Sequence, residues 1–169
     1  MTESINRILV PVDFSAHSNR AVRYATTLAN KFGARVSLLH VVEDPFVTGA
    51  WQADAFAANI PELLNELTKA AQAQLHELKK DLAAHGFVAT TEVVHGSPVP
   101  TIIEHAATGH FDLIVMGTHG RTGVAHALMG SVAERVVQKA LCPVLTVRDM
   151  APAEPETATT TAGFALPVR

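Results

Sequence analysis

Short apolar runs alternate along the chain with longer stretches in which apolar residues recur at helical spacing. Ile8-Leu9-Val10-Pro11-Val12 is almost continuously apolar, the pattern of a strand buried on both faces. Ser15 to Lys31 then carries Ala21, Tyr24, Ala25, Leu28 and Ala29 on one helical side, and Gly33 stands where a left-handed helix stop is common. Val36 to Val42 predicts a second strand. A loop with Pro45 and Gly49 leads to a long helix predicted from Asn59 to His85, with Asn59 and Glu62 spaced as a cap pair and Gly86 past its end. Phe87 to Val94 predicts the third strand, and Ser97-Pro98 opens a short helix that Gly109 closes. Phe111 to Met116 is the fourth strand. A glycine-rich loop, a helix from Ser131 to Ala140 and a fifth strand from Pro143 to Val147 follow.

Strand–helix alternation of this kind predicts an α/β fold of Rossmann-like type: a five-stranded parallel sheet, right-handed crossovers and helices on both faces. Ligands of such sheets lie beyond the carboxyl ends of the strands, where the strand order reverses. The pattern does not give that order. It does assign Asp13-Phe14, Val42-Glu43, His95-Gly96 and Gly117-Thr118 to carboxyl ends.

The 169 residues are 48% hydrophobic, which suits one compact domain. A chain of about 150 residues buries roughly 68–70% of its unfolded surface, enough to cover a sheet on both faces. Residues 1–149 form that domain. From Met150 the composition turns to Pro, Thr and Glu, so residues 150–169 read as a frayed tail in spite of the apolar Phe164-Ala165-Leu166-Pro167-Val168. A net charge of −3, without a basic run, argues against nucleic acid or an anionic membrane as partner. No apolar run reaches the roughly 20 residues that span a bilayer. A single cysteine, Cys142, cannot form an internal disulfide, and the opening Met1-Thr2-Glu3-Ser4 does not start a signal peptide, so a soluble cytoplasmic protein is expected.

The informative stretch runs from Gly117 to Ser131, leaving a strand and ending where a helix begins. Glycine lacks a Cβ and lets the backbone approach a ligand closely. Successive loop N–H groups form anion-binding concavities, and the free amides of a helix N-terminus favour phosphate. Ser131 and Glu134 also have capping-box spacing and would satisfy that helix end without a ligand. Both readings stand on the residues alone. The loop is neither a P-loop nor a dinucleotide fingerprint, because Gly-x-x-x-x-Gly-Lys-Ser/Thr and Gly-x-Gly-x-x-Gly are both absent.

The spacing Gly117-x2-Gly120-x9-Gly130-Ser131 resembles the nucleotide motif of the ATP-binding universal stress proteins. The opening Ile8-Leu9-Val10-Pro11-Val12-Asp13-Phe14-Ser15, the segment Asp112-Leu113-Ile114-Val115-Met116-Gly117 and the closing Cys142-Pro143-Val144-Leu145-Thr146-Val147 are similar to that family as well, so the resemblance covers about residues 5 to 148. It implies strand order 3-2-1-4-5, with Asp13 and Gly117 at one crevice. It further implies ATP, with Mg²⁺ or Mn²⁺ on the phosphates, as ligand. Pro11, Val12 and Asp13 would line the adenosine side, with Asp13 accepting hydrogen bonds from base or ribose. Val41 would offer backbone groups to adenine, and Met116 belongs to the same site. Gly117, Thr118, His119, Gly120, Arg121, Thr122 and Gly123 would wrap ribose and phosphates, with Gly130, Ser131 and Val132 on the phosphate tail. A homodimer through the last strand, Val144-Leu145-Thr146-Val147, is implied too, alongside an unidentified protein partner for a regulatory output.

Other chemistry fits less well. A phospho-acceptor receiver needs a second acid beside Asp13 and an aspartate after the third strand, where Phe14 and His95-Gly96 stand. The nine histidines include no His-x-x-x-His pair, so no dedicated metal site is expected. His40 reads as a core or pocket-edge residue held by a hydrogen bond, His76 and His85 as exposed helix positions, and Cys142 as a buried thiol. His119 and His126 fall in the loop, near where phosphates or Mg²⁺ would lie. Ser131 has no positioned His–Asp pair, so no catalytic residue is assigned. Two functions remain: a nucleotide-binding regulatory module, favoured, and a slow ATPase or nucleotide-transferring enzyme on the same pocket. The loop from Gly117 to Ser131 contains no carboxylate or glutamine to orient a water, which favours the first.

Overall fold

A computed structural model describes residues 4–43, 60–119 and 129–148. Its elements are β1 (Arg7–Pro11), α1 (Ala16–Phe32), β2 (Arg35–Glu43), α2 (Ile60–Ala84), β3 (Ala89–Gly96), α3 (Pro98–Thr108), β4 (Leu113–Gly117), α4 (Ser131–Lys139) and β5 (Val144–Val147). All strand pairs are parallel, and the sheet order is β3-β2-β1-β4-β5, as the resemblance implied.

Strand residues alternate between two apolar layers because successive side chains leave opposite faces of a sheet. Ile8 and Val10 of β1, Val36 and Leu38 of β2, and Leu113 and Val115 of β4 pack with Ala21, Val22, Ala25 and Ala29 of α1 and Leu75 and Leu82 of α2. Leu9, Leu39, Ile114 and Met116 face the other way, onto Ile102 and Ala106 of α3 and Ala133 and Val136 of α4. Each Leu, Ile or Val taken wholly out of water contributes about 1.5–3 kcal/mol, so these two layers hold the helices on the sheet.

Local contacts set the ends of the elements. Ser15 caps α1 by accepting the Ser18 N–H, and Gly33, at φ 70°, stops it with an N–H bonded to the Ala29 carbonyl. At the amino end of the sheet, Asp112 Oδ2 accepts the Asn6 and Arg7 N–H groups at 2.8 and 2.9 Å, pinning β4 to β1.

Three strands begin later than the apolar runs predict: β5 by one residue, at Val144, and two others for a shared reason. The Phe87 N–H is spent on the Leu82 carbonyl, closing α2, so β3 starts at Ala89 and not at Phe87. The Phe111 N–H likewise bonds the Ala106 carbonyl and closes α3, so β4 starts at Leu113. Asn59, half of the expected cap pair, lies outside the described residues. Among the described residues, no helix is long and apolar enough to cross a membrane.

Candidate functional site

The strand order reverses direction of growth at β1, which has β2 on one side and β4 on the other. Beyond the carboxyl ends of these strands lies a cavity of about 620 Å³. Ligand pockets fall in the range of roughly 300–1,000 Å³. Pro11, Val12 and Asp13 enter it from the end of β1 and Val41 from β2. Met116, Gly117, Thr118 and His119 reach it from β4 and the residues after it, and Gly130, Ser131 and Val132 from the start of α4. Eleven of the fifteen residues expected at the site are therefore together. The other four, Gly120, Arg121, Thr122 and Gly123, lie outside the described residues.

The loop has a fixed base. Thr118, almost wholly buried, donates its N–H to the Val147 carbonyl at 2.9 Å, and its own carbonyl accepts the Gly130 N–H at 2.7 Å. That second bond ties the residue after β4 to the residue before α4, so α4 begins at the crevice whatever path the intervening chain takes. The capping-box expectation is corrected here. Gly130, not Ser131, is the N-cap, and no side chain caps the helix. Ser131 occupies the first helical position, one residue too late to cap. The first-turn amides, which have no intrahelical partners, thus face the cavity with a positive dipole end.

Asp13 has a local task. Its Oδ1 accepts the Ser15 N–H at 3.0 Å and the Ser15 hydroxyl at 2.6 Å, bracing the residue that caps α1. Gly117 has one as well. A Cβ there would lie 2.8 Å from the carbonyl carbon and Cβ of His17 and 3.1 Å from the His17 carbonyl oxygen. The glycine therefore serves close packing of α1 on β4, independently of any ligand.

Sequence reasoning missed the wall supplied by α2. Leu67, Ala70, Ala71 and Gln74 line the cavity at spacing of one helical stripe, a period visible in the sequence although its docking was not. Pro98 and Ile102 of α3 close the opposite side. His40 fulfils both parts of its expectation: it is 9% exposed, lines the cavity, and its Nδ1 lies 2.7 Å from the Val12 carbonyl. Phe14, at φ 64°, packs against that imidazole with centroids 4.6 Å apart and the rings tilted by 32°. Cys142 is half-buried, less enclosed than expected, and burial raises its thiol pKa, aided by the charge of Asp112 against an opposing backbone hydrogen bond. His76 is exposed on α2, while His85 is exposed in the turn just past its end and not on the helix as expected.

Among the described lining residues none is Lys or Arg. An anion in this cavity would be met by backbone amides, the dipole of α4 and the His119 ring. The wall also carries the carboxylates of Asp13 and Glu43 and the polar side chains of Ser18, His40 and Gln74. Val12, Leu39, Val41, Leu67, Ile102 and Met116 supply apolar surface that suits a flat heterocycle.

Sheet order, crevice position and uncapped helix together define a doubly wound α/β protein of the kind that holds ligands at its switch point. The universal stress protein family model matches residues 4–148, and the chain belongs to that family. Universal stress protein MJ0531 of Methanocaldococcus jannaschii is 40% identical over 148 residues, covering 84% of this chain and 81% of the relative. The solved structure of MJ0577 from the same organism superposes with a TM-score of 0.75 at 31% identity, covering 87% of this chain and 98% of that one. A universal stress protein solved in complex with cAMP superposes with a TM-score of 0.61 at 26% identity, covering 84% and 96%.

Proposed function

We propose that this chain is a cytoplasmic regulatory module that binds ATP in the switch-point cavity, with Mg²⁺ or Mn²⁺ carried on the phosphates. The observation that carries the reading is the start of α4. It meets a ligand-sized cavity with glycine at its N-cap and no side chain on its first amides. Such an end is an anion site by construction. The cAMP complex of a relative supports an adenine nucleotide as the anion's parent. Pro11, Val12 and Met116 then flank adenosine, the backbone of Val41 reads the base, and Asp13 faces base or ribose. Gly117 to Gly123 follow the ribose and phosphates, and Gly130, Ser131 and Val132 hold the phosphate tail.

The output of such a module is a change in self- or partner association, and β5 offers the surface. The Ile114 N–H bonds the Pro143 carbonyl and the Thr118 N–H bonds the Val147 carbonyl. Odd-numbered residues of β5 thus turn their polar groups to β4, leaving those of Val144 and Thr146 on the open edge. Leu141, 88% exposed, and the exposed Val137 and Leu145 add apolar area beside it. An edge of this kind is covered or paired in a stable protein, and a twofold copy pairs it with itself.

Calorimetric titration with Mg-ATP tests the pocket, using Gly130→Val as the perturbation. Gly130 sits at φ −73° and ψ 153°, which any residue adopts, so valine blocks backbone approach without straining the turn. A loss of affinity of at least tenfold is expected, and equal affinities would sink the assignment.

A further inference from the structure

The strongest unassigned feature is a pair of imidazoles, His119, which lines the cavity, and His17 against it. His17 stands in the first turn of α1, two residues past the cap Ser15. His119 follows β4, its Nδ1 3.1 Å from the Thr118 hydroxyl. The two rings lie 5.4 Å apart between centroids, tilted by 50°. Both are half-buried, reachable from solvent yet held by their surroundings.

Their proximity is built into the backbone. The main chain of His17 packs on Gly117 at distances only a residue without Cβ allows. Thr118, bonded to Val147 on one side and Gly130 on the other, holds His119 in place. Neither position depends on the path of the glycine loop.

A divalent cation bound by imidazole sits about 2.0–2.1 Å from the nitrogen, and tetrahedral geometry then puts two ring centroids roughly 5 Å apart. The observed separation of 5.4 Å is close to that span. The contact between His119 Nδ1 and the Thr118 hydroxyl, with the ring nitrogen donating, is the kind of second contact that orients a ligating ring and directs its Nε2 to a metal. Among the described residues no third His, Cys, Asp or Glu joins the pair around one point. Water or an anion can fill the remaining positions of a tetrahedral ion. His119 lines the same cavity as Gly130 and Ser131, so phosphate oxygens at the α4 terminus are the adjacent donors.

We propose that His17 and His119 form a half-site for an imidazole-seeking divalent cation of the Zn²⁺ or Co²⁺ class, completed by the phosphates of the bound nucleotide. Imidazole selects these ions over Mg²⁺, which prefers oxygen and water. The ion would lock the nucleotide to α1 as well as to α4, coupling occupancy to the position of both helices. The completed site rests on the nucleotide reading above; the histidine pair does not.

Co²⁺ serves as the probe because its visible absorption reports nitrogen ligation. The full chain is titrated with Co²⁺ alone, with Co²⁺ plus a non-hydrolysable ATP analogue, and with Mg²⁺ plus that analogue. Wild type should develop visible bands with Co²⁺ alone and bind Co²⁺ at least tenfold more tightly with the analogue present. His17→Ala should abolish the bands and the gain while leaving affinity for the Mg²⁺–analogue complex within twofold, and His17→Gln should behave likewise. Thermal melts of both variants check that the fold is retained. Bands that survive both His17 substitutions unchanged, or their absence in wild type under all conditions, would overturn the site. Co²⁺ bands that need His17 in a protein blind to the Mg²⁺–analogue complex would uphold the histidine pair and sink its completion by a nucleotide, together with the nucleotide reading.

Discussion

Replacing Gly117 with alanine separates packing from binding at the centre of the site. An alanine Cβ would stand 2.8 Å from two atoms of His17 and 3.1 Å from its carbonyl oxygen. Two of the three are main-chain atoms of α1, so no rotamer change relieves the contact. Overpacking of this kind costs typically about 1–3 kcal/mol. Against it, an alanine that tolerates the native backbone gains about 0.4–1 kcal/mol by restricting the unfolded chain. The clash wins, and a net loss of roughly 0.5–2 kcal/mol remains. For a chain of this size each kcal/mol moves the melting point by about 2–4 °C, so Gly117→Ala should melt about 1–8 °C lower than wild type. Differential scanning calorimetry without nucleotide measures it. A variant melting at or above wild type would refute the packing argument and return Gly117 to a purely ligand-facing role.

Three further outcomes are expected. Light scattering should find a wild-type dimer at micromolar concentration and a monomer for Thr146→Pro, which removes an outward N–H of β5 and leaves the β4 ladder intact; a monomeric wild type would end the dimer proposal. Single-turnover hydrolysis of labelled ATP should run at least about a thousandfold below the median enzyme rate of about 10 per second, and a rate near one per second lost in Arg121→Ala would make this an enzyme. The Cys142 thiol is raised above its ordinary 9.0, mainly by burial, so its stabilising contribution is complete below that value and fades as pH climbs through the higher folded-state value. Urea midpoints of wild type should then fall more between neutral and strongly alkaline pH than those of Cys142→Ala, and parallel curves would contradict this.

The fold was legible because parallel strands buried on both faces leave near-continuous apolar runs, and Ile8 to Val12 and Phe111 to Met116 are such runs. Their first residues misled where hydrogen bonding overrode composition: Phe87 and Phe111 are apolar enough for strands, but each gives its N–H to the helix before it. Strand order was beyond periodicity and came from the resemblance. Glycines and carboxyl-end residues of the site were legible, since turn chemistry and strand ends are local. The α2 wall and the His17–His119 pair were not, because they arise from elements distant in sequence that meet only when α1 and α2 dock on one face. Ser131 was the instructive miss. Its spacing to Glu134 suits a capping box, yet the Thr118–Gly130 hydrogen bond makes Gly130 the cap. The helix end that a serine would have satisfied remains open to a ligand.

The central claim is that this open helix end binds the phosphates of an adenine nucleotide. Equilibrium dialysis of the full wild-type chain against labelled ATP with Mg²⁺ tests it most directly. Retention approaching one nucleotide per chain is expected, with a dissociation constant in the micromolar range, about −8 kcal/mol. No retention above background at about 1 mM ATP, where even a binding energy of about −4 kcal/mol would show, would contradict it.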